Sequence, residues 1–233
     1  MKVGIMQPYF FPYIGYFQLI SAVDEFIVYD HIKFSKKGWI NRNRILVNGS
    51  PTYITLPLSR ASDHLNVNER FLSGSWVNER RRLINRITES YRRAPQFDTV
   101  FPLLETCLFF DNPNLFDFIN HSLGVMREYL EIDTRITISS TISYDQASKA
   151  ENKVLSLLKA VGAKGYINPI GGQELYSRER FHANGVDLAF LRSGTIEYRQ
   201  FQNPFVPNLS IIDVAMFNPK EAIKRFLGIY DLI

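Results

Sequence analysis

Cysteine is almost absent from this 233-residue chain, Cys107 being the only one. A single thiol excludes a disulfide framework and a cysteine cluster for structural zinc, and it fits a reducing cytosol. The four histidines, His31, His64, His121 and His182, are scattered, without a His-x-x-x-His or Cys/His pair, so no metal-ligating spacing is present. No run approaches the roughly 18 to 20 apolar residues that a membrane span needs. Gln7, Pro8 and Pro12 interrupt the apolar amino terminus, and no convincing small-residue cleavage site follows, so it does not read as a signal sequence. Walker-type phosphate loops, the Gly-x-Gly-x-x-Gly fingerprint, a Gly-x-Ser-x-Gly elbow and a Ser, His and acid placed for a triad are all missing. The expectation is a soluble, cytoplasmic protein without a metal site.

What is present is ample core material and a mild positive charge. Hydrophobic residues make up 45% of the chain, and 27 Lys and Arg against 23 Asp and Glu leave a net charge of +4. Arg80, Arg81, Arg82, Arg86, Arg92 and Arg93 concentrate the basicity on one segment, and no nucleic-acid motif accompanies them. A basic groove for an anionic small molecule is expected, and no nucleic-acid partner. The length suits one α/β domain over residues 1–233, with a helical insertion at about 76–131.

The first thirty residues organise the rest. Val3 to Met6 reads as a buried strand, Pro8 and Pro12 forbid a helix until Gly15, and Phe17, Leu19, Ile20 and Val23 fit one helical face. Glu25 to Tyr29 is a second strand. In a parallel sheet, ligands bind where the loop leaves the carboxyl end of such a first strand and the next helix begins. Gln7, Tyr9, Tyr13, Tyr16 and Asp30 would lie on that rim.

Further along, the turn Asn48-Gly49-Ser50-Pro51 predicts a hairpin of residues 45–47 and 53–58, bracketing Asn41-Arg42-Asn43-Arg44. An arginine between asparagines suits phosphate, carboxylate or sugar hydroxyls, and equally a solvated, capped hairpin entrance. Helical patterns follow from Trp76 to a stop at Pro95, over 99–109, and over about 113–130. Arg135 to Ser139 is a strand. Asp145 can cap a helix of about 147–161 that ends at Gly162, and Lys164 to Asn168 leads as a strand into Gly171-Gly172. Val186 to Leu191 is another strand, and Asn218, Pro219 and Glu221 predict a capped last helix ending near Gly228. Strands alternating with helices at both ends of the chain imply a Rossmann-like α/β fold, with a mostly parallel sheet, the helical insertion and a small hairpin.

Asp30 and Lys33 are candidates for proton transfer or charge stabilisation, Asp30 being equally readable as a turn or helix cap. Cys107 and the histidines read as packing or surface residues. The remaining polar and aromatic set, rich in Gln, Asn, Tyr, Arg and Trp, suits sugars and nucleotides.

Ile5-Met6-Gln7-Pro8-Tyr9-Phe10-Phe11-Pro12-Tyr13-Ile14-Gly15-Tyr16, followed by Asp24, Asp30, Lys33, Trp39 and Asn41-Arg42-Asn43, resembles the WbqC-like family. Trp76, Tyr91, Gly162-Ala163, Tyr166, Tyr176, Tyr198-x-Gln200 and Phe205-x-Pro207-x-Leu209-Ser210-Ile211-Ile212-Asp213 extend the likeness across nearly the whole chain. Lys33 stands where a Gln is expected, Tyr13 where a Trp is expected, and a histidine is missing around Arg81. The resemblance implies a cytoplasmic role with O-antigen or other surface-polysaccharide precursors. It implies transfer of an acyl or aminoacyl group, such as glycine, from a small donor to a nucleotide-linked amino sugar. On this reading Asp30, Lys33 and Tyr16 are catalytic. Gln7, Pro8, Tyr13, Gly15, Trp39, Asn41, Arg42, Asn43, Tyr166, Tyr176, Tyr198 and Gln200 bind substrate, the last four closing the opposite wall.

Tyr13-Ile14-Gly15-Tyr16 also sits where adenylating nucleotidyltransferases carry His-x-Gly-His, and Ile138-Ser139-Ser140-Thr141 resembles their serine-rich second motif. Tyrosine replaces both histidines. An adenylate-forming ligase using ATP and magnesium, and a non-catalytic nucleotide-sugar-binding protein of the same pathway, are therefore kept as alternatives. The aromatic content is compatible with a homodimer.

Overall fold

β1 (Lys2–Met6) and β2 (Glu25–Val28) are short apolar runs that pair in parallel, from Val3 opposite Glu25 to Met6 opposite Val28. The crossover between them is α1 (Ile14–Ser21), whose residues from Ile14 to Ile20 are all buried. Its one buried amide is satisfied: Gln18 Nε2 donates to the carbonyls of Phe226 and Ile229, 2.8 Å each, and Oε1 accepts from Ser193 Oγ at 2.6 Å. This computed structural model describes residues 1–148 and 150–233.

The sheet is completed by β5 (Arg135–Ile138), β6 (Gly165–Pro169), β7 (Asp187–Ser193) and β8 (Tyr230–Leu232), in the order β5-β2-β1-β6-β7-β8. All neighbours are parallel except β8, which pairs antiparallel with β7. The chain winds outward from β1 through β2 to β5, then returns to the other side of β1 with β6. Loops leaving β1 and β6 therefore diverge at this switch point, where a doubly wound sheet opens a crevice at its carboxyl edge.

Alternation along the strands feeds two cores. Val3, Ile5 and Ile27 pack with Tyr166, Phe181 and Phe190 against α5 (Ala150–Ala160) and α6 (Arg178–Ala183). Phe26 and Val28 belong to a larger core with α1, α7 (Ile211–Phe217) and α8 (Lys220–Leu227). That core continues into α2 (Trp76–Tyr91), α3 (Phe97–Leu108) and α4 (Leu115–Tyr129). In α2 the stripe Trp76, Leu83, Ile87 and Tyr91 is buried, while Arg81, Arg82 and Arg86 stay exposed. Cys107 is buried in α3, and burial pushes its thiol up to about 12. No helix among the described residues is long and apolar enough to cross a membrane.

Several local expectations need correction. The hairpin pairs β3 (Arg42–Val47) with β4 (Ser50–Thr55), so Arg42-Asn43-Arg44 is strand and not a loop before one. Asn48 and Gly49, at φ +49° and +77°, form the tight turn as expected. The helix expected over 147–161 is observed as Ala150–Ala160, position 149 lying outside the described residues, and Gly162 follows it at φ +69°. Asp145 caps only a local turn, accepting from the amides of Ala147 and Ser148. Asn218 closes α7, donating to the Val214 carbonyl at 2.9 Å, whereas Pro219, with extended ψ, precedes α8.

Candidate functional site

Where β2 and β5 end, their parallel register carries the next residues to a common edge. Val28 lies opposite Ile138, and two residues on, Asp30 meets the turn that begins at Ser139. Asp30 Oδ1 accepts from Ser139 Oγ at 2.7 Å and from the Ser140 amide at 3.0 Å, and Oδ2 accepts from Asn68 Nδ2 at 2.8 Å. The carboxyl is 1% exposed, and no Lys, Arg or His among the described residues comes within 4.0 Å of it. Burial opposes its ionisation, but the hydrogen bonds from Ser139, Ser140 and Asn68 outweigh burial and hold the group below its ordinary carboxylate value.

The polar groups around Asp30 are incompletely satisfied. Asn68 Oδ1 and His31 Nδ1 are buried and make no hydrogen bond among the described residues. Tyr144 Oη is likewise buried, lying beside Tyr29 and Ser139 without meeting hydrogen-bond geometry. Buried polar atoms are nearly always paired, so such a concentration marks a place a ligand or water completes. Lys153 Nζ sits 5.6 Å from the centre of the Tyr29 ring. Lys33 is exposed on the adjoining loop, whose backbone bridges to Asn66.

On the β6 side of the switch point, Tyr166 donates to Asn168 Oδ1 at 3.0 Å, and Tyr176 stands edge-on to Tyr166 at 5.7 Å. A Cβ on Gly172 would lie 2.0 Å from the Asn168 side-chain amide nitrogen, so any larger residue here would push the Asn168 side chain out of its place.

The other candidates serve different places. Tyr16 is buried and donates to the Gln7 carbonyl at 3.0 Å, and burial raises its hydroxyl far above the ordinary tyrosine value. It therefore holds the half-buried Gln7 and buried Pro8 at the exit of β1. Tyr13 lies across Gly15, whose missing side chain makes room for the ring at 2.3 Å from a hypothetical Cβ. Asn43 is fully buried, donating to the carbonyls of Phe10 and Phe11 and accepting from the Arg44 amide. Ser210 Oγ donates to the same Phe11 carbonyl at 2.7 Å, fixing a residue whose φ is +40°. Asn41 donates to the Leu56 carbonyl at 2.8 Å. Arg42 donates to the carbonyls of Gly38 and Lys37, and lies over Trp39 and Tyr53, which stack on each other at 5.9 Å.

Tyr198 and Gln200 do not share a wall with Tyr166 and Tyr176. Tyr166 and Tyr176 pack on the α5 and α6 face, whereas Tyr198 and Gln200 both donate, at 2.7 Å, to Asp213 Oδ2 at the α7 face. Tyr91 completes that cluster, donating to Asp213 Oδ1 at 2.8 Å while accepting from the Leu46 amide at 2.8 Å. Burial raises Asp213 despite these three donors. In the sequence, Ser139 and Ser140 stand out only as a strand end and part of a distant motif. Asn68, in a polar connection without periodicity, gave no signal.

The model of the WbqC-like protein family matches residues 7–225. The chain is also similar to the uncharacterized protein Rv1507c of Mycobacterium tuberculosis (strain ATCC 25618 / H37Rv), 27% identical over 221 residues, which covers 93% of each chain. No solved structure matches.

Proposed function

The chain belongs to the WbqC-like protein family, and from that premise we propose that it transfers an acyl or aminoacyl group to the amine of a nucleotide-linked sugar, in the cytoplasm, on the way to O-antigen or another surface polysaccharide. The observation that carries this reading is Asp30: a buried carboxylate held ionised by neutral donors, with no cation within 4.0 Å among the described residues, at the carboxyl edge of the sheet. A buried charge without a counterion attracts one, and a sugar ammonium is a counterion of suitable size.

In the transfer, the bound ammonium first gives one proton to water, and the free amine nitrogen then attacks the carbonyl carbon of the activated donor: the C–N bond forms, the bond to the leaving group breaks with its electron pair, and the second amine proton leaves with that group. We assign Asp30 to orienting the amine. A carboxylate with a lowered affinity for protons is a weak base, so electrostatic orientation suits it better than proton abstraction. Lys33 is assigned the charge that develops on the donor side. Adenylate chemistry has less support, because the Tyr16 hydroxyl, at the position of a histidine in the adenylating pattern, is closed off by the Gln7 carbonyl.

Thermal unfolding against dTDP-, UDP- and GDP-linked amino sugars tests the proposal. A ligand at a hundred times its Kd adds about 2.7 kcal/mol, or several degrees for a chain of this size. One amino sugar should give that shift and its N-acetylated counterpart should not. Equal shifts with both forms, or none with any nucleotide sugar, would overturn the acceptor assignment, and turnover with a donor separates an enzyme from a binding protein.

A further inference from the structure

A groove of about 830 Å³ lies between the loop after β2, the exit of β4 and residues 57–70, and its charged lining is Lys36, Arg42, Arg60, Asp63, His64 and Arg70. Lys36 Nζ lies 2.7 Å from Asp63, closing one ion pair, and this lysine is the main reason that the Asp63 carboxyl is held below its ordinary value. The three guanidinium groups have no carboxylate within 4.0 Å among the described residues.

Arg70 sets this groove apart from a solvated basic surface. It is 4% exposed, and among the described residues its Nε is buried without a partner and its one side-chain hydrogen bond runs from Nη2 to the Ser62 carbonyl at 2.8 Å. The guanidinium lies over the Phe34 ring, 4.5 Å from its centre. An arginine keeps its charge when buried, and a ring face, one carbonyl and the Asp63 carboxylate, beyond 4.0 Å but near enough for Arg70 to favour its ionised form, compensate this desolvated cation only in part. Its backbone is fixed on both sides: the amide donates to the Val67 carbonyl at 3.2 Å, and the carbonyl accepts from the Leu115 amide at 2.8 Å. The preceding turn is locked by a capping box between Asn66 and Glu69.

We propose that this groove is an oxyanion subsite for a phosphate or diphosphate group, with Arg70 as its buried anchor and Arg42 and Arg60 supplying further charge from the rim. Guanidinium forks match phosphate oxygens in pairs, and three unmatched positive charges suit a multiply charged anion. Asn68 reaches Asp30 and Arg70 follows two positions later, about 7 Å of chain at most, so one short turn of the chain serves both the groove and the Asp30 cluster. The inference deepens the proposed function by giving the diphosphate of a nucleotide sugar its place, and it rests on that reading only for the identity of the carrier.

Isothermal titration at constant ionic strength with inorganic phosphate, pyrophosphate and UDP tests it on the wild-type chain, Arg70→Met and Arg60→Ala. Pyrophosphate should bind the wild type, bind Arg70→Met at least tenfold more weakly, and bind Arg60→Ala about threefold more weakly. Folded Arg70→Met binding pyrophosphate like the wild type, or a wild type that binds none of the three anions, overturns the subsite. Should Arg70→Met fail to fold, Arg60→Ala decides, unchanged affinity there overturning the proposal and the threefold loss supporting it. UDP tighter than pyrophosphate identifies a nucleotide source, and equal affinities an inorganic anion. No probe carries an amine, so a pyrophosphate site without any amino-sugar response leaves the groove standing and removes the acceptor, while the reverse removes the groove alone.

Discussion

Asp30 and Asp213 are both buried carboxylates, each receiving hydrogen bonds from three residues or backbone groups and neither meeting a cation among the described residues. Around Asp213 the network is closed. Its donors come from the end of α2 and from the segment after β7, and Tyr91 extends it to the hairpin through the Leu46 amide. Gln200 also accepts from the Val206 amide and donates to the Val206 carbonyl, so its amide is satisfied on both sides. Around Asp30 the network is open, because Asn68 Oδ1, His31 Nδ1 and Tyr144 Oη, the last beside Tyr29 and Ser139, make no hydrogen bond of good geometry among the described residues. A closed polar knot joins distant segments into one fold, whereas an open one at the edge of a parallel sheet leaves capacity for a ligand.

The largest effect should come from breaking the closed member. Asp213→Ala leaves the donors of Tyr91, Tyr198 and Gln200 without an acceptor in a dry core and opens a cavity, at a cost of about 3 to 5 kcal/mol. The urea midpoint at unchanged slope measures it. A midpoint equal to the wild type would mean that the Asp213 knot is no more architectural than Asp30. Asp30→Asn should cost less stability, about 1 to 2 kcal/mol, since only part of its hydrogen bonding is lost. Its amino-sugar affinity should nevertheless fall tenfold or more. Normal affinity in a folded Asp30→Asn chain would place both carboxylates among the structural ones.

This contrast also explains how far the sequence could be read. The first strand, helix and second strand were legible because apolar spacing and two prolines act locally, and Asn48-Gly49 announced its own turn. α7 was not legible: its seven residues from Ile211 to Phe217 are all buried, so no polar face reveals a helical period. β8, three residues long, becomes a strand only by pairing with the edge of β7. The resemblance drew attention to Tyr198, Gln200 and Asp213 together, but the types of residue that bind a sugar also satisfy a buried carboxylate. Which of the two they do depends on whether distant segments close the network, and spacing along the chain does not carry that information. Asp30 was recognisable from its place at a strand end, while Asn68 reaches it across 38 positions of sequence.

The smallest expected difference appears in acid, where the two carboxylates should pull in opposite directions. Asp30 titrates below its ordinary value, so its ionised form stabilises the fold above the unfolded carboxyl value of about 3.9, and the contribution fades as pH falls through the lowered folded value. Asp213 is raised by burial, so its contribution is full below about 3.9 and is lost as pH rises through the raised value. The stability deficit of Asp30→Asn relative to the wild type should therefore shrink as pH drops from 5 to 3. The deficit of Asp213→Asn should instead grow as pH drops from 7 towards 4. Urea midpoints across that range read both slopes, and two slopes of the same sign would show that the open and closed clusters hold their charge in the same way.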